Sequence, residues 1–417
     1  MKYLAYSLII ICCLFNTQII AAKKANNVSK QKFIRIDGSN LITPDNGKFL
    51  IKGTNLGNWL NPEGYMFLFK KTNAPRQIDQ AFKEMAGPDF INKFWKLFKD
   101  NYVTKADIDY LKKTGTNTIR MPFHYKLFTD EDYMGLHAAQ DGFQRTDSLV
   151  KWCKEAGIYI ILDMHDAPGG QTGDNIDDSY GYPWLFESEV SQKLFLDIWV
   201  KIAKRYKDEA TILGYDLLNE PIAPYFGDDM DKLNAALEPL YKKAVKAIRQ
   251  VDTNHIIMLG GAQWDGNFNV FNDWKFDNKI MYTCHRYGGE PTTDAIRKII
   301  EFRDKTNLPM YMGEIGHNKD EWIASFCKTM IDNNIGYTFW PYKKMGDSTS
   351  FMHVNKPENW DKIIEFTEKP RGNYKEVREA RPDQALSRKA LLDYIESCKF
   401  SNCIKNDNYI KAIGLQP

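Results

Sequence analysis

The 417-residue sequence carries little excess charge of either sign: Lys plus Arg nearly balance Asp plus Glu, for a formal net charge of +2 at pH 7. The charges are spread along the chain and form no basic block, which argues against nucleic acid as a partner. Cysteine is scarce, at seven residues, and no Cys/His spacing has the form of a zinc site. Beyond the first residues no apolar run reaches the ~20 residues that cross a bilayer, so stable membrane insertion is not expected. An internal repeat and a second composition regime are also missing, which points to one domain rather than an array.

Residues 1–22 have the form of a secretory signal peptide. Lys2 gives the positive start, Leu8 to Phe15 the apolar run, and Ile20-Ala21-Ala22 a small-residue cleavage site. A membrane anchor is the alternative, and the short apolar run speaks against it. The mature chain is therefore expected to be secreted, periplasmic or at the cell surface, as a soluble monomer. Five cysteines would remain, an odd number that leaves at least one free. Cys398 and Cys403 are spaced to close a small disulfide loop, and pairing and free thiols both stay open. Aromatic residues make up 13% of the chain, with ten Trp. They supply core area and flat faces on which sugars or bases stack.

The chain is organised around Ile212-Leu-Gly-Tyr-Asp-Leu-Leu-Asn-Glu-Pro221. This is a short apolar run ended by Asn219-Glu220 and stopped by Pro221, a pattern that suits a strand buried on both faces. A carboxylate at the exit of such a strand is costly to bury and calls for a partner or a role. A second phrase of the same shape, Leu308-Pro-Met-Tyr-Met-Gly-Glu-Ile-Gly316, places Glu314 at another strand exit. Two carboxylates at the ends of buried parallel strands are the pieces a glycosidase needs.

Turn residues punctuating 33–51 predict a small hairpin leading into a first strand over 49–55. Seven more strands are expected over 116–121, 158–164, 212–218, 255–259, 279–284, 308–313 and 336–340. Helical spacing separates them, as in Val190, Leu194, Ile198, Ile202 and Tyr206. Eight strands alternating with helices argue for an α/β fold with parallel pairing, and eight is the number that closes a (β/α)8 TIM barrel. The expected domain spans 23–417, with an N-terminal hairpin and a C-terminal helical tail around 385–397. A doubly wound open sheet is the alternative. In a barrel the site forms at the carboxyl ends of the strands. There the sequence sets Arg120, His165-Asp166, Asn219-Glu220, Trp264-Asp265, His285 with Tyr287, Glu314 and Trp340. Any one of these is ordinary, but matched positions on successive strands favour a shared site.

Six phrases now carry a resemblance: Asn117-Thr-Ile-Arg-Met-Pro-Phe123, Ile161-Leu-Asp-Met-His165, Leu218-Asn-Glu-Pro221, His285-Arg-Tyr287, Gly313-Glu-Ile-Gly316 and Phe339-Trp340. In this order, between Gly53 and about Trp340, the chain resembles glycoside hydrolase family 5, the cellulase-containing family of retaining (β/α)8 enzymes. The resemblance implies Glu220 as general acid/base and Glu314 as nucleophile. It gives Asn219 the sugar 2-hydroxyl, His165 and His285 hydroxyl binding or orientation of the acid, and Trp340 a platform under the cleaved sugar. Arg120 and Tyr287, if they reach Glu314, would favour its ionised form. No metal or cofactor is implied, because two carboxylates supply the proton and the nucleophile.

Substrate preference is less determined. Gly53-Thr-Asn-Leu-Gly-Asn-Trp59 and His165-Asp-Ala-Pro-Gly-Gly-Gln171 are similar to the family's exo-β-1,3-glucanase branch, which places a sugar-binding Glu near Glu63. The continuation from Thr172 to Trp184 departs from that branch and leaves linkage and exo or endo action open. Its acidic run from Asp174 to Asp178 lacks the ordered spacing of a calcium loop and reads as a solvated loop. Trp59, Trp184, Tyr225 and Trp264 are candidates either to stack further sugars or to pack. The expected partner is a β-glucan, with β-mannan, xylan-type chains or a small β-glycoside as alternatives. A non-catalytic sugar-binding protein on the same scaffold is a rival from another class. The presence of both carboxylates speaks against it.

Overall fold

A computed structural model describes residues 32–136, 138–174 and 176–417. The expected signal peptide lies outside the described residues. Eight parallel strands close into a barrel in chain order: β4 (Lys52–Asn55), β5 (Thr118–His124), β6 (Tyr159–Asp166), β7 (Ile212–Asp216), β8 (Ile256–Gly260), β9 (Ile280–His285), β10 (Met310–Gly316) and β11 (Gly336–Trp340). The ring is sealed where Tyr337, Thr338 and Phe339 of β11 pair with Lys52, Gly53 and Thr54 of β4. Every residue of β5, β7, β8, β9, β10 and β11 is buried, as the unbroken apolar runs require. The outer helices include Ala139–Ala156, Glu189–Tyr206, Met230–Arg249, Arg297–Thr306 and Asp320–Asp332.

Strand ends differ from the sequence expectation at several strands: β7 stops at Asp216, short of the expected 218. β5, β6 and β10 run on to His124, Asp166 and Gly316, past the apolar residues that predict them. The polar ends of β5 and β6 stay in the ladder because His124 and Asp166 meet there, 3.1 Å apart. At the other end, Phe49 leaves the expected first barrel strand. It sits in β3 (Lys48–Phe49), opposite Leu41 of β2 (Asn40–Ile42), which pairs with β1 (Arg35–Asp37). This small antiparallel sheet plugs the barrel floor. Ile34 and Leu41 bury against Ile51, Ile161, Leu213, Ile256, Met281 and Tyr311.

The C-terminal tail wraps the outside. Helix Gln384–Cys398 packs on helices Pro75–Ala86 and Pro88–Tyr102. Buried Lys343 ties it to the barrel: its Nζ lies 2.6 Å from Asp107 and donates to the carbonyls of Tyr102 and Cys398. Cys398 and Cys403 are separate thiols, and Cys403 Sγ donates to the Ser397 carbonyl at 3.3 Å. Among the described residues no helix is long and apolar enough to cross a membrane.

Candidate active site

Arg120 is the hub of the barrel mouth. Its side chain is fully buried, which is tolerable only if every donor is matched. Nε donates to Asp216 at 2.9 Å, and Nη1 donates to Asn55 at 3.1 Å and Glu314 at 2.7 Å. Nη2 donates to Asn219 at 2.9 Å and lies 3.0 Å from Asp163. The planar fork thus joins residues from β4, β6, β7, β10 and the segment after β7. Burial, with the charge of Asp163, pushes Asp216 up to about 7, against the pull of Arg120.

The two candidate carboxylates have different surroundings. Glu314 receives Arg120 on one oxygen and the Tyr287 hydroxyl, at 2.6 Å, on the other. Burial raises its carboxyl above the ordinary range, and Arg120 is among the groups opposing that rise. A charge-assisted bond and a phenol donor together hold a carboxylate. Glu220 has neither; its Oε1 faces Nδ1 of His285 at 2.9 Å. Burial pushes Glu220 up to about 7, His165 and Arg120 opposing. An oxygen of Glu220, a nitrogen of His285 and an oxygen of Glu314 all lie within 4.8 Å of one another. Gly313 keeps this cluster tight, since a Cβ there would sit 2.9 Å from His285 Nε2 and 2.3 Å from the Thr283 hydroxyl.

Glu220 is placed by strained backbone. Its φ is 46°, and Ile222, a β-branched residue, has φ 60°, a conformation that persists only when neighbours over-determine it. The loop after β6 does so. Gln171 donates to the carbonyls of His165 and Asn219, both at 2.8 Å, and Thr172 donates through Oγ1 to the Glu220 carbonyl at 2.8 Å. Ile222 and Ala223 return N–H bonds to the carbonyls of Gln171 and Thr172.

The remaining predicted residues gather here too. His165 Nδ1 lies 2.8 Å from Asp163 Oδ2, and the ring stacks on Trp340 with centroids 5.2 Å apart. Its Nε2 lies 3.6 Å from Glu63, whose carboxyl burial raises. Trp340 bonds the Tyr65 hydroxyl through Nε1. Trp264 stands further out, 38% exposed, with Tyr225 edge-on to it at 5.9 Å and Trp184 also exposed at the rim. Trp59 does not join them: it is buried and donates to the Lys99 carbonyl, so it packs. The acidic run after Thr172 is not a solvated loop either. Asp177 is buried and accepts the N–H groups of Thr172 and Ser179, while Asp178 accepts that of Arg76. Asp178 and Asp166 both lie 3.1 Å from Nε2 of His124, whose Nδ1 accepts the Lys126 N–H. Nε2 is therefore the ring's N–H and is directed at the two acids, a lock between loops rather than an open set of metal ligands.

Three residues of the site lay outside the expected set: Asn55, Asp163 and Asp216. Their signal was a polar residue inside an apolar strand, with Asp163 two residues before His165 and so on the same face. A hollow of about 660 Å³ between helices Pro88–Tyr102 and Ala139–Ala156, lined by Lys93, Lys96, Asp141 and Arg145, touches none of this chemistry.

Comparison with known proteins gives a consistent result. The model of the cellulase family, glycosyl hydrolase family 5, matches residues 79–346. A β-xylosidase from Phanerodontia chrysosporium is 31% identical over 361 residues, 78% of this chain and 73% of that protein. Endoglucanase C from Acetivibrio thermocellus is 26% identical over 325 residues, 63% of this chain and 90% of its own. The crystal structure of a β-glucanase from Saccharophagus degradans in complex with cellotetraose matches with a TM-score of 0.53 at 17% identity, covering 87% of this chain and 94% of that one. That last likeness is one of fold.

Proposed function

The chain belongs to glycosyl hydrolase family 5, a family of retaining β-glycoside hydrolases, and from that premise we propose that Glu220 and Glu314 cleave a β-glucan by double displacement. The observation that carries this reading is the close approach of the two carboxyl groups, within 4.8 Å at their nearest oxygens. Retaining pairs stand about 5–5.5 Å apart, whereas inverting pairs need roughly 6.5–9.5 Å to admit a water. The split surroundings support the two roles: Arg120 and Tyr287 donate to Glu314 and favour its ionised form against burial, whereas burial pushes Glu220 up to about 7.

In the first step a Glu314 oxygen bonds the anomeric carbon while the glycosidic bond breaks and Glu220 gives its proton to the leaving oxygen. In the second, Glu220 takes a proton from water, the water oxygen bonds the anomeric carbon, and Glu314 is released. Asn219, whose Nδ2 lies 3.5 Å from His165 Nε2, would donate to the sugar 2-hydroxyl. His165 and Glu63 would bind further hydroxyls, and Trp340 would lie under the ring. The exposed rings of Trp264, Tyr225 and Trp184 favour a chain substrate that continues past the cleaved bond. The β-xylosidase relative favours a second reading, action on xylan-type chains or small β-glycosides. Residues 1–22 support secretion, which N-terminal sequencing of the exported protein checks.

Glu220→Ala is expected to lose hydrolysis of unactivated glycosides by roughly 10²–10⁴-fold. It should cleave dinitrophenyl glycosides, and azide should restore turnover with a β-glycosyl azide as product. Failure of that rescue, or an inverted anomer from the native enzyme, overturns the mechanism. Product profiles on β-1,3-, β-1,4- and β-1,6-glucans, mannan and xylan decide between the substrates.

A further inference from the structure

A third carboxyl group stands behind the proposed acid. Asp265 is fully buried, and its Oδ2 lies 3.2 Å from Nε2 of His285, whose Nδ1 faces Glu220 at 2.9 Å. His285 thus stands between the two carboxyl groups. The same Oδ2 accepts the backbone N–H of Glu220 at 3.3 Å. A backbone N–H can only donate, so this oxygen presents its acceptor side. The ring nitrogen facing it then carries the hydrogen of a neutral imidazole, and Nδ1 is left with its lone pair. A hydrogen bond between that lone pair and Glu220 needs the proton on the carboxyl.

We infer that Asp265 is a positioning residue: by holding His285 in the Nε2–H tautomer, it keeps the proton on Glu220 until the leaving oxygen takes it. This rests on Glu220 being the acid. The Nε2 contact is close without full hydrogen-bond alignment, and Nε2 makes no hydrogen bond among the described residues. Asp265 is thus the acceptor within its reach.

Independent features point the same way. Gln263, Trp264 and Asp265 have φ of 51°, 59° and 59° in succession, three residues in a left-handed region that costs energy outside glycine. The contortion turns Asp265 inward. Gly260 makes room for it, since a Cβ there would fall 1.8 Å from Asp265 Oδ1. Burial holds His285 down at about 3, so the ring stays neutral and has one hydrogen to place. Burial, with Asp216 and Glu220 nearby, keeps the Asp265 carboxyl well above its ordinary range. Its Oδ1 has no hydrogen-bond partner among the described residues. The charged groups that also face Glu220 and His285 are Glu314, Arg120, His165, Asp163 and Asp174, with Asp216 behind Asp265. None of them supplies an acceptor to Nε2.

The test is the pH profile of kcat/KM. Asp265→Ala frees His285 to place its hydrogen on Nδ1, which stabilises ionised Glu220. The basic limb should move to lower pH by about half a unit or more. Oligosaccharide cleavage should slow about tenfold more than cleavage of a dinitrophenyl glycoside, which needs no acid. Asp265→Asn, which offers an amide oxygen in the same place, should return the limb. An unmoved limb with both substrate classes slowed alike overturns the inference. Nitrogen-15 spectra of the native protein test it without any variant folding: His285 should show a protonated Nε2, and an Nδ1–H tautomer refutes it. If azide fails to rescue Glu220→Ala, the reading of Glu220 itself falls; if that rescue works and the limb does not move, only the role of Asp265 falls.

Discussion

The two ends of the barrel are made by the same strands and could hardly differ more. At the floor, Ile51, Ile161, Leu213, Ile256 and Met281 meet the hairpin plug in an apolar contact. At the mouth, further along the strands and just past the end of β7, Arg120, Asp163, Asp216, Asn219, Glu220 and Glu314 fill the space with polar and charged groups. Tyr311 spans both regions: its ring belongs to the floor, and its hydroxyl donates to Asp216 at 3.2 Å. The floor is stabilised by burial, which is additive and tolerant of shape. The mouth is held by matched donors and acceptors, where one unpaired group is costly. The strained backbone at Glu220 and Ile222 is held at the mouth itself, by the loop after β6.

The comparison can be tested from either end. The largest effect is expected at the mouth: Glu314→Gln should lower kcat by about four orders of magnitude or more. Its melting temperature should stay close to the native value, and a large drop in thermal stability would blur the division. At the floor, Leu213→Ala should destabilise by about 2–5 kcal/mol and leave kcat/KM at a permissive temperature within twofold or so of native. Denaturant unfolding and kinetics on one preparation check both halves.

The smallest effect is in pH. Above about 7, kcat/KM on unactivated glycosides should fall about tenfold per pH unit as Glu220 loses its proton. Because the folded state raises this carboxyl above its unfolded value of about 4.3, the associated stability is full below that value. It is lost as pH rises through about 7. Leu213→Ala should shift the stability curve without changing that slope; a changed slope would mean that floor and mouth are coupled.

Much of the mouth was legible because function demands residue types that a buried strand otherwise avoids. Glu220, Glu314, Arg120, His285 and Tyr287 stand at the ends of apolar runs, where a carboxylate or guanidinium has no structural reason to be. Asp163 and Asp216 were hidden within the runs, since a single strand does not reveal which polar residue faces a shared interior. Trp59 and Trp264 show a different limit. Both follow strand ends and both are Trp, but the first is covered by helix Pro88–Tyr102 and the second is not. The acidic loop misled for a related reason: composition reports charge, and only packing reports whether Asp177 meets water or backbone N–H groups.

By itself the sequence determined the barrel, its strand count, the pair of carboxylates and the family they belong to. Those follow from local signals: apolar runs of strand length, glycine and proline breaks, and polar residues at fixed offsets from them. Only the tertiary structure chose what surrounds each carboxyl group. That choice depends on groups far apart in the chain, Arg120 and Tyr287 on Glu314, His285 and Asp265 on Glu220. Electrostatic and hydrogen-bond energies act over a few ångströms of space, without regard to separation along the chain.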